Sequence, residues 1–396
     1  MDNKQSILVF GVGELQKSII LKAKSMGLFV VGIDPFADAY CKDEVDVFEV
    51  VGGQDYESTL AVARKYDVKA VVTAATDKPL VMMARVAKEL RLRFYSEETA
   101  IWSTDKFQMK QRFIDGEISC AHGRVIKSVE EIKGLDFPLI LKPRDNSGSR
   151  GVVLCRDLSS LSDAMQDTLQ YTKLDSVLVE EFIEGQEYSV EALHFDGRSE
   201  VVQFTEKTTT PFPYNVELQH IQPALFSDDL KEQIRLLISR IANVMKFENC
   251  ASHTELKVNE RGIFIIETSP RLGGDFITST LTTLSTGINI EEQLLNISLG
   301  YSVDICTRKV DKSSAVCFFV LDEGEVVAID EKINDVLSWE GVKMFDFKLS
   351  VGDKVNKITS SLNRYGQFVV GGENREGVEK YLNEYYKKIK GFIKVN

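Results

Sequence analysis

Proline is scarce in this chain, with 8 in 396 residues, and the sequence holds only 6 cysteines, 4 histidines and 2 tryptophans. Few prolines and no biased tract argue against a disordered chain. The cysteines, at 41, 120, 155, 250, 306 and 317, are widely scattered and form no C-x-x-C pair. No Cys/His cluster has the spacing of a zinc site. This pattern predicts buried free thiols in a reducing cytoplasm. Long apolar runs are missing too. The longest tidy one, residues 315–321, falls far short of the roughly 18 residues a membrane span needs. The first apolar run, residues 7–10, is too short for a signal-peptide core. Positive charge is in deficit: Lys+Arg total 48 against 60 Asp+Glu, a net charge of -12. That balance argues against nucleic acid and anionic membrane as partners, while leaving room for local basic sites that hold phosphates.

What is present is ordinary globular composition, 43% hydrophobic and 27% charged. At about 150 residues per domain the length predicts two to three domains. Residues 1–100 alternate strand and helix: strands at 7–10, 29–33 and 70–73, helices at 15–26 and 81–90. Such alternation implies a parallel, doubly wound sheet. The first turn, Gly11-Val-Gly13, approaches the dinucleotide fingerprint, but Gln16 stands where the third glycine belongs. Dinucleotide binding, with Asp34 on a ribose, is one reading; close packing of strand on helix is the other. Near residue 104 a helix start is expected, with Thr104 as its N-cap. Short strands follow at 139–141, 152–155, 177–179 and 188–193, around a helix at 158–172. A long amphipathic helix is expected at 230–245. From 303 a third unit carries strands at 315–321, 325–328 and 367–370 and a closing helix at 375–388. The expected division is 1–100, 101–302 with a small lid at about 120–190, and 303–396.

Three segments carry chemistry. The first is Lys142, at the end of an apolar strand, followed by a loop with Ser147, Gly148, Ser149 and Gly151. Small residues let backbone N–H groups approach an anion, and serines add donors. A lysine in an apolar strand needs an anionic partner or a route to solvent. The loop reads as a phosphate cover, with an ordinary hairpin turn as the bland alternative. The second segment is a hairpin over 253–267. If Glu260-Arg261-Gly262 forms a three-residue loop, Asn259 faces Ile263 and Glu255 falls opposite Glu267. Leu256, Val258, Phe264 and Ile266 then share the core face. Directly opposed like charges are destabilising, so the two carboxylates call for a divalent cation such as Mg²⁺, shared with substrate phosphates. Beyond them, Arg271 can steady a transferring phosphoryl group, and Gly273-Gly274 can present N–H donors. The third segment is an acidic hairpin, Glu180-Glu181-Phe182-Ile183 leading through Gly185 to Glu187. Its edges could read adenine and ribose hydroxyls.

In this order the three segments resemble the ATP-grasp superfamily, specifically its carboxylate–amine ligase branch, which includes L-amino-acid ligases and glycinamide-type purine ligases. The resemblance covers nearly the whole chain. It implies an α/β and α+β fold: an N-terminal Rossmann-like domain that precedes the grasp, the ATP-grasp domain with its lid, and a C-terminal α+β unit. It implies that Lys106 and Lys142 hold ATP phosphates and that Ser147, Gly148, Ser149 and Gly151 close over them. Glu180 and the backbone of Glu181, Phe182 and Ile183 would read adenine, and Glu187 the ribose. Glu255 and Glu267 would bind Mg²⁺ or Mn²⁺. Arg271 would face the acyl phosphate. The stretch from Glu217 through His220 to Pro223 resembles a Glu-x-x-His-x-x-Pro motif of the amino-acid ligases, which would put His220 near that intermediate. The family usually has Asn where this chain has Ser269, so the second metal site rests on a weaker oxygen ligand. The resemblance implies an ATP-dependent C–N ligase acting on small carboxylates and amines, cytoplasmic and homodimeric. The alternatives within the superfamily are glycinamide-type ligation and biotin- or bicarbonate-type carboxylation.

Overall fold

The computed structural model describes residues 4–305 and 310–396. Residues 1–3 and 306–309 lie outside it, and with them the expectation of a free thiol at Cys306. The N-terminal unit runs β1 (Ser6–Phe10), α1 (Lys17–Ser25), β2 (Phe29–Asp34), β3 (Val47–Val50), α2 (Tyr56–Lys65), β4 (Val68–Val72) and α3 (Leu80–Leu90). Its strands pair in parallel in the order β3-β2-β1-β4. Ile7, Leu8 and Val9 of β1 are fully buried, as a strand covered on both faces must be. The alternation of the first hundred residues thus becomes a parallel wound sheet. Strand β3 was not expected: it has only four residues, three half-buried and one exposed, and carries little periodic signal.

The Gly11-Val-Gly13 turn is occupied by the chain itself. Gln16 accepts from the Gly13 N–H (3.2 Å) and donates to the Ala74 carbonyl (2.6 Å). A Cβ added at Gly11 would lie 3.2 Å from that Gln16 oxygen. Asp34 accepts from the Val12 N–H (2.9 Å). The residues that would cradle a dinucleotide are spent on packing the turn, which favours the packing reading.

Helices α4 (Glu97–Thr104) and α5 (Lys106–Asp115) follow. Thr104 is not the cap expected there. It ends α4, its hydroxyl turned back to the Ala100 carbonyl (2.9 Å), and Asp105 caps α5 by accepting from Phe107 and Gln108. A carboxylate at that position also suits the helix dipole, so the neighbouring threonine is not needed. A four-stranded sheet then forms from β5 (Gly123–Ile126), β6 (Leu139–Lys142), β7 (Val153–Cys155) and β8 (Val177–Glu181), with α6 (Leu158–Leu169) packed on it.

The central sheet collects β9 (Gln186–Phe195), β10 (Arg198–Thr209), β11 (Glu217–Gln222), β12 (Cys250–Asn259) and β13 (Gly262–Ser269), with α7 (Asp228–Met245) on its apolar side. Helices α8 (Thr282–Thr286) and α9 (Ile290–Leu299) lead to β14 (Ser313–Phe318), β15 (Gly324–Ile329), β16 (Val342–Phe347), β17 (Lys354–Val355), β18 (Gly366–Gly372), α10 (Arg375–Gly391) and β19 (Ile393–Val395). Of the C-terminal strands, β14, β18 and β16 extend the central sheet, because β14 pairs with β11, while β15, β17 and β19 form a separate three-stranded sheet. The resulting order is β13-β12-β9-β10-β11-β14-β18-β16. Among the described residues no helix is long and apolar enough to cross a membrane.

Helix α9 ties the N-terminal unit to this sheet. Asn289 caps it, and its Glu291 is buried against α1, accepting from Ser18 (2.6 Å). Burial pushes the Glu291 carboxyl up to about 7 from an ordinary 4.5. The unfolded chain therefore loses this proton first, and stability falls as pH rises from about 4.5 to about 7. Glu291→Gln, which keeps a polar group beside Ser18, should stabilise the protein by up to roughly 3 kcal/mol at pH 8 and by almost nothing at pH 4.5, on the scale of 1.36 kcal/mol per pKa unit. Urea unfolding at the two pH values checks this; an equal effect at both would refute it.

Candidate active site

Side chains two apart on a strand share one face. On β12 that places His253, Glu255 and Lys257 together. Cross-strand partners add Glu191, Ser189 and Glu187 from β9. Glu267 and Ser269 join them from β13. The sheet therefore has one face packed on α7 and one face that is polar. The lid sheet lies over the polar face, and between them opens a cleft with about 820 Å³ of empty space, its mouth included.

The hairpin that carries Glu255 and Glu267 turns differently from expectation. Asn259 pairs with Gly262, so Glu260-Arg261 is a two-residue loop. A bulge beside Glu255 then compensates: Leu256 faces Ile265, and Glu255 still faces Glu267. Ile266 is the extra residue. It lines the cleft, and Ile265 takes the core position in its place. Register and bulge cancel, which sequence periodicity does not reveal because a bulge breaks the period of two.

Most of the expected site residues converge here. Lys106, Lys142, Ser147, Gly148, Ser149, Glu180, Glu181, Phe182, Ile183, Glu187, Glu255 and Glu267 all line the cleft. Gly151 does not. It turns the loop at φ +73°, where a Cβ would meet Tyr171 at 2.8 Å and Pro143 at 3.0 Å. Glu180 is 3% exposed and acts as counter-ion to two lysines, with Lys142 at 2.5 Å and Lys110 at 3.3 Å. The anionic partner that Lys142 needed is thus Glu180. Burial, with Lys110 and Lys106 close by, holds Lys142 below the usual lysine range despite Glu180. The N–H groups of Glu181 and Phe182 donate to the carbonyls of His122 (2.8 Å) and Pro138 (3.1 Å). Phe182 stands edge-on to Phe212 at 5.3 Å, forming an apolar wall.

Lys106 reaches Glu267 (2.6 Å), which holds its ammonium above the ordinary range against the cost of burial. Lys207, 3% exposed, is surrounded by Glu255 (2.5 Å), Glu187 (3.3 Å) and Glu217 (3.5 Å). Four carboxylates thus share two ammonium groups. The shortage of positive charge shows on Glu217, whose carboxyl burial and the neighbouring Asp275, Glu255 and Glu187 raise to about 7 despite Lys207. A divalent cation between Glu255 and Glu267 fits this deficit. Among the described residues no cluster of three acidic, imidazole or thiol groups is preformed. Two protein carboxylates with the remaining ligands from phosphate and water is a common arrangement for Mg²⁺.

The other expected residues lie at the edge. Arg271 is paired with Asp77, Nε to Oδ1 at 2.8 Å and Nη2 to Oδ2 at 3.1 Å. The Ser269 hydroxyl donates to the same Asp77 carboxylate (2.6 Å). His220 is 1% exposed and sits behind the cleft, its Nε2 3.4 Å from Asp275. Asp275 is in turn gripped by both terminal nitrogens of Arg364 (2.6 and 2.7 Å), whose guanidinium lies 3.5 Å over the Phe318 ring.

Sequence reasoning missed Asp77, Lys110, Lys207 and Arg364. Three of these had a signal. Lys207 is a lysine in a strand, the feature that exposed Lys142, and Asp77 follows the carboxyl end of a parallel strand, where such sheets bind ligands. Lys110 lies one helical turn after Lys106 on α5. Arg364 had none, because its partner Asp275 is 89 residues away.

Two family descriptions match the chain, and together they span more than half of it: ATP-grasp domain over residues 135–279, and L-amino acid ligase C-terminal domain 2 over residues 317–391. Residues 135–279 are thus an ATP-grasp domain. Among curated relatives, the chain is 26% identical over 268 residues to the alanine–anticapsin ligase of Bacillus amyloliquefaciens, covering 61% of the chain and 56% of that protein. It is 21% identical over 298 residues to dapdiamide A synthase of Enterobacter agglomerans, covering 69% of each. The chain spans about half the length of the alanine–anticapsin ligases it matches. Among solved structures, the L-amino acid ligase from Bacillus licheniformis superposes with TM-score 0.84 at 18% identity, covering 100% of this chain and 99% of that one. Phosphoribosylglycinamide synthetase from Anaerococcus prevotii gives 0.76 at 20% identity, covering 100% of both. At such identities these likenesses establish the fold, which is the ATP-grasp fold expected from the sequence.

Removing Lys207 would leave three carboxylates facing one another. Lys207→Met should cost about 3–5 kcal/mol of stability at pH 8, the usual penalty for an uncompensated buried charge, and clearly less at pH 5, where the glutamates take up protons. Urea unfolding at both pH values measures it; a pH-independent loss would mean that packing, not charge, sets the cost.

Proposed function

We propose that the chain is an ATP-dependent carboxylate–amine ligase acting on an amino acid or a similar small substrate. The observation that carries this reading is the meeting in one cleft of Lys106 and Lys142 with the opposed carboxylates Glu255 and Glu267. The names of relatives, an alanine–anticapsin ligase and an L-amino acid ligase, support a small amino-acid-like substrate. In this reading the nucleotide lies between the lid and the central sheet. The Phe182–Phe212 wall packs the adenine, Glu187 binds the ribose, and Ser147, Gly148 and Ser149 cover the phosphates. Among the described residues, Lys106 forms an ion pair with Glu267, and Lys110 and Lys142 with Glu180. A triphosphate would take over these cations.

A substrate carboxylate oxygen attacks the γ-phosphorus, the bond to the β–γ bridging oxygen breaks, and ADP leaves. Arg271, at the rim, steadies the acyl phosphate. An amine then attacks the acyl carbon, phosphate departs and the amide remains, with the amine proton passing to a base. Mg²⁺ held by Glu255 and Glu267 would offset phosphate charge as it shifts toward the bridging oxygen. Ser269 is a poor third ligand in this arrangement, since its oxygen is already engaged with Asp77. Closure of the 147–151 loop excludes water from an intermediate that would otherwise hydrolyse. Buried free thiols at Cys41, Cys120, Cys155, Cys250 and Cys317 support a reducing cytoplasm. The exposed Leu15, Phe36 and Tyr40 of the N-terminal unit support a homodimer.

A second reading, glycinamide-type chemistry, draws support from the formate-dependent phosphoribosylglycinamide formyltransferase of Prochlorococcus marinus, 22% identical over 87% of this chain. One assay separates the two. ADP release is measured with ATP, Mg²⁺ and pooled amino acids, in parallel with phosphoribosylamine-type substrates and bicarbonate. Amino-acid-dependent ADP should appear, and Glu267→Gln should lower it by at least about a hundredfold, as loss of an electrostatic contact to the reacting phosphate does. Near-normal turnover in Glu267→Gln would remove the metal assignment. ADP release only with the other substrates would favour the second reading.

A further inference from the structure

Behind Glu255 lies a polar chain that the proposed reaction does not use. His253 stands directly opposite Glu191 on the neighbouring strand, as Glu255 stands opposite Ser189. The His253 ring reaches Glu191 through Nδ1 (2.7 Å) and Glu255 through Nε2 (3.4 Å). Glu191 is fully buried and also accepts from Ser189 (3.2 Å). A fully buried carboxylate costs several kcal/mol unless it is well partnered, so its presence under the cleft demands a reason. The pair also shapes the rim. Gly273 packs so close that a Cβ there would lie 2.7 Å from His253 Nδ1 and 2.8 Å from Glu191 Oε2. Among the described residues, the same Glu191 Oε2 has no hydrogen-bond partner.

We infer that His253, anchored by Glu191, is a positioning residue that aims the Glu255 carboxylate at the cation site and seats the Gly273 segment of the rim. The inference rests on the reading of Glu255 as a cation ligand. An imidazole bonded on both nitrogens cannot rotate, so it holds the carboxylate beyond it in one orientation. Lys207 and His253 meet the same Glu255 oxygen, Oε1, so without His253 the carboxylate keeps its pairing with Lys207 and loses the second direction from which that oxygen is held.

The test is Mn²⁺ binding to the full chain in the presence of ADP, read from the free-Mn²⁺ signal in electron paramagnetic resonance, at a temperature where circular dichroism finds each variant folded. His253→Leu should weaken Mn²⁺ by about tenfold or more, the usual cost of losing an outer-shell partner, while ADP binding without metal stays unchanged. His253→Gln, which keeps one donor, should recover part of the loss. If His253→Leu does not fold, Gly273→Ala decides: it crowds the pair without removing a charge and should weaken Mn²⁺ in the same direction. Folded His253→Gln and Gly273→Ala that both bind Mn²⁺ as the wild type does would overturn the inference and leave the ligase reading standing. A wild type that binds ADP but no Mn²⁺ would overturn the metal reading and this inference with it.

Discussion

The structure is organised around an imbalance of charge on one face of its central sheet. Glu187, Glu217, Glu255 and Glu267 share the ammonium groups of Lys207 and Lys106. Like charges this close are unfavourable, and the cost is large because water is largely excluded. The chain tolerates it by burying Lys207 at the centre of the group and by letting Glu217 keep its proton near neutral pH. The arrangement leaves net negative charge on the wall of the cleft. Toward the β5–β8 sheet the balance reverses, with Lys110 and Lys142 both set against the single carboxylate of Glu180.

Three parts of the chain must meet for this to work. The N-terminal sheet delivers Asp77, at the end of β4, to Arg271 and Ser269 beyond β13. The backbone joins at the same place, where the Ala75 N–H donates to the Leu272 carbonyl at 3.2 Å. The C-terminal strands carry Arg364 to Asp275 on the same rim segment. The rim between 269 and 275 is therefore held from both sides by bidentate arginine–carboxylate pairs, the most directional ionic contact that side chains make. Gly273, between these two anchors, rests on the His253–Glu191 pair. The rim is positioned by contacts from distant parts of the chain.

Much of the fold was legible because its signals are local. The parallel strands of the first hundred residues, the long helix α7 and the closing helix α10 follow from hydrophobic period and from caps within a few residues. The lysine at the end of β6 and the serine–glycine loop after it were legible as neighbours for the same reason, and the structure sets both on the wall of the cleft. The opposition of Glu255 and Glu267 was also expected, although the turn between them is one residue shorter and a bulge restores the register.

The sequence by itself singled out the residues that meet around the cleft: lysines on a strand and at a helix start, glutamates on facing strands and an arginine just beyond. Those are properties of residue type and short-range spacing. Only the tertiary structure decided how their charges are shared. Glu180 became the partner of Lys142 and Lys110, Arg271 was tied to Asp77 from 194 residues away, and Lys207 was set among three glutamates from three other strands. Ion pairing depends on distances of a few ångströms between groups far apart in the chain, and no local pattern encodes those distances.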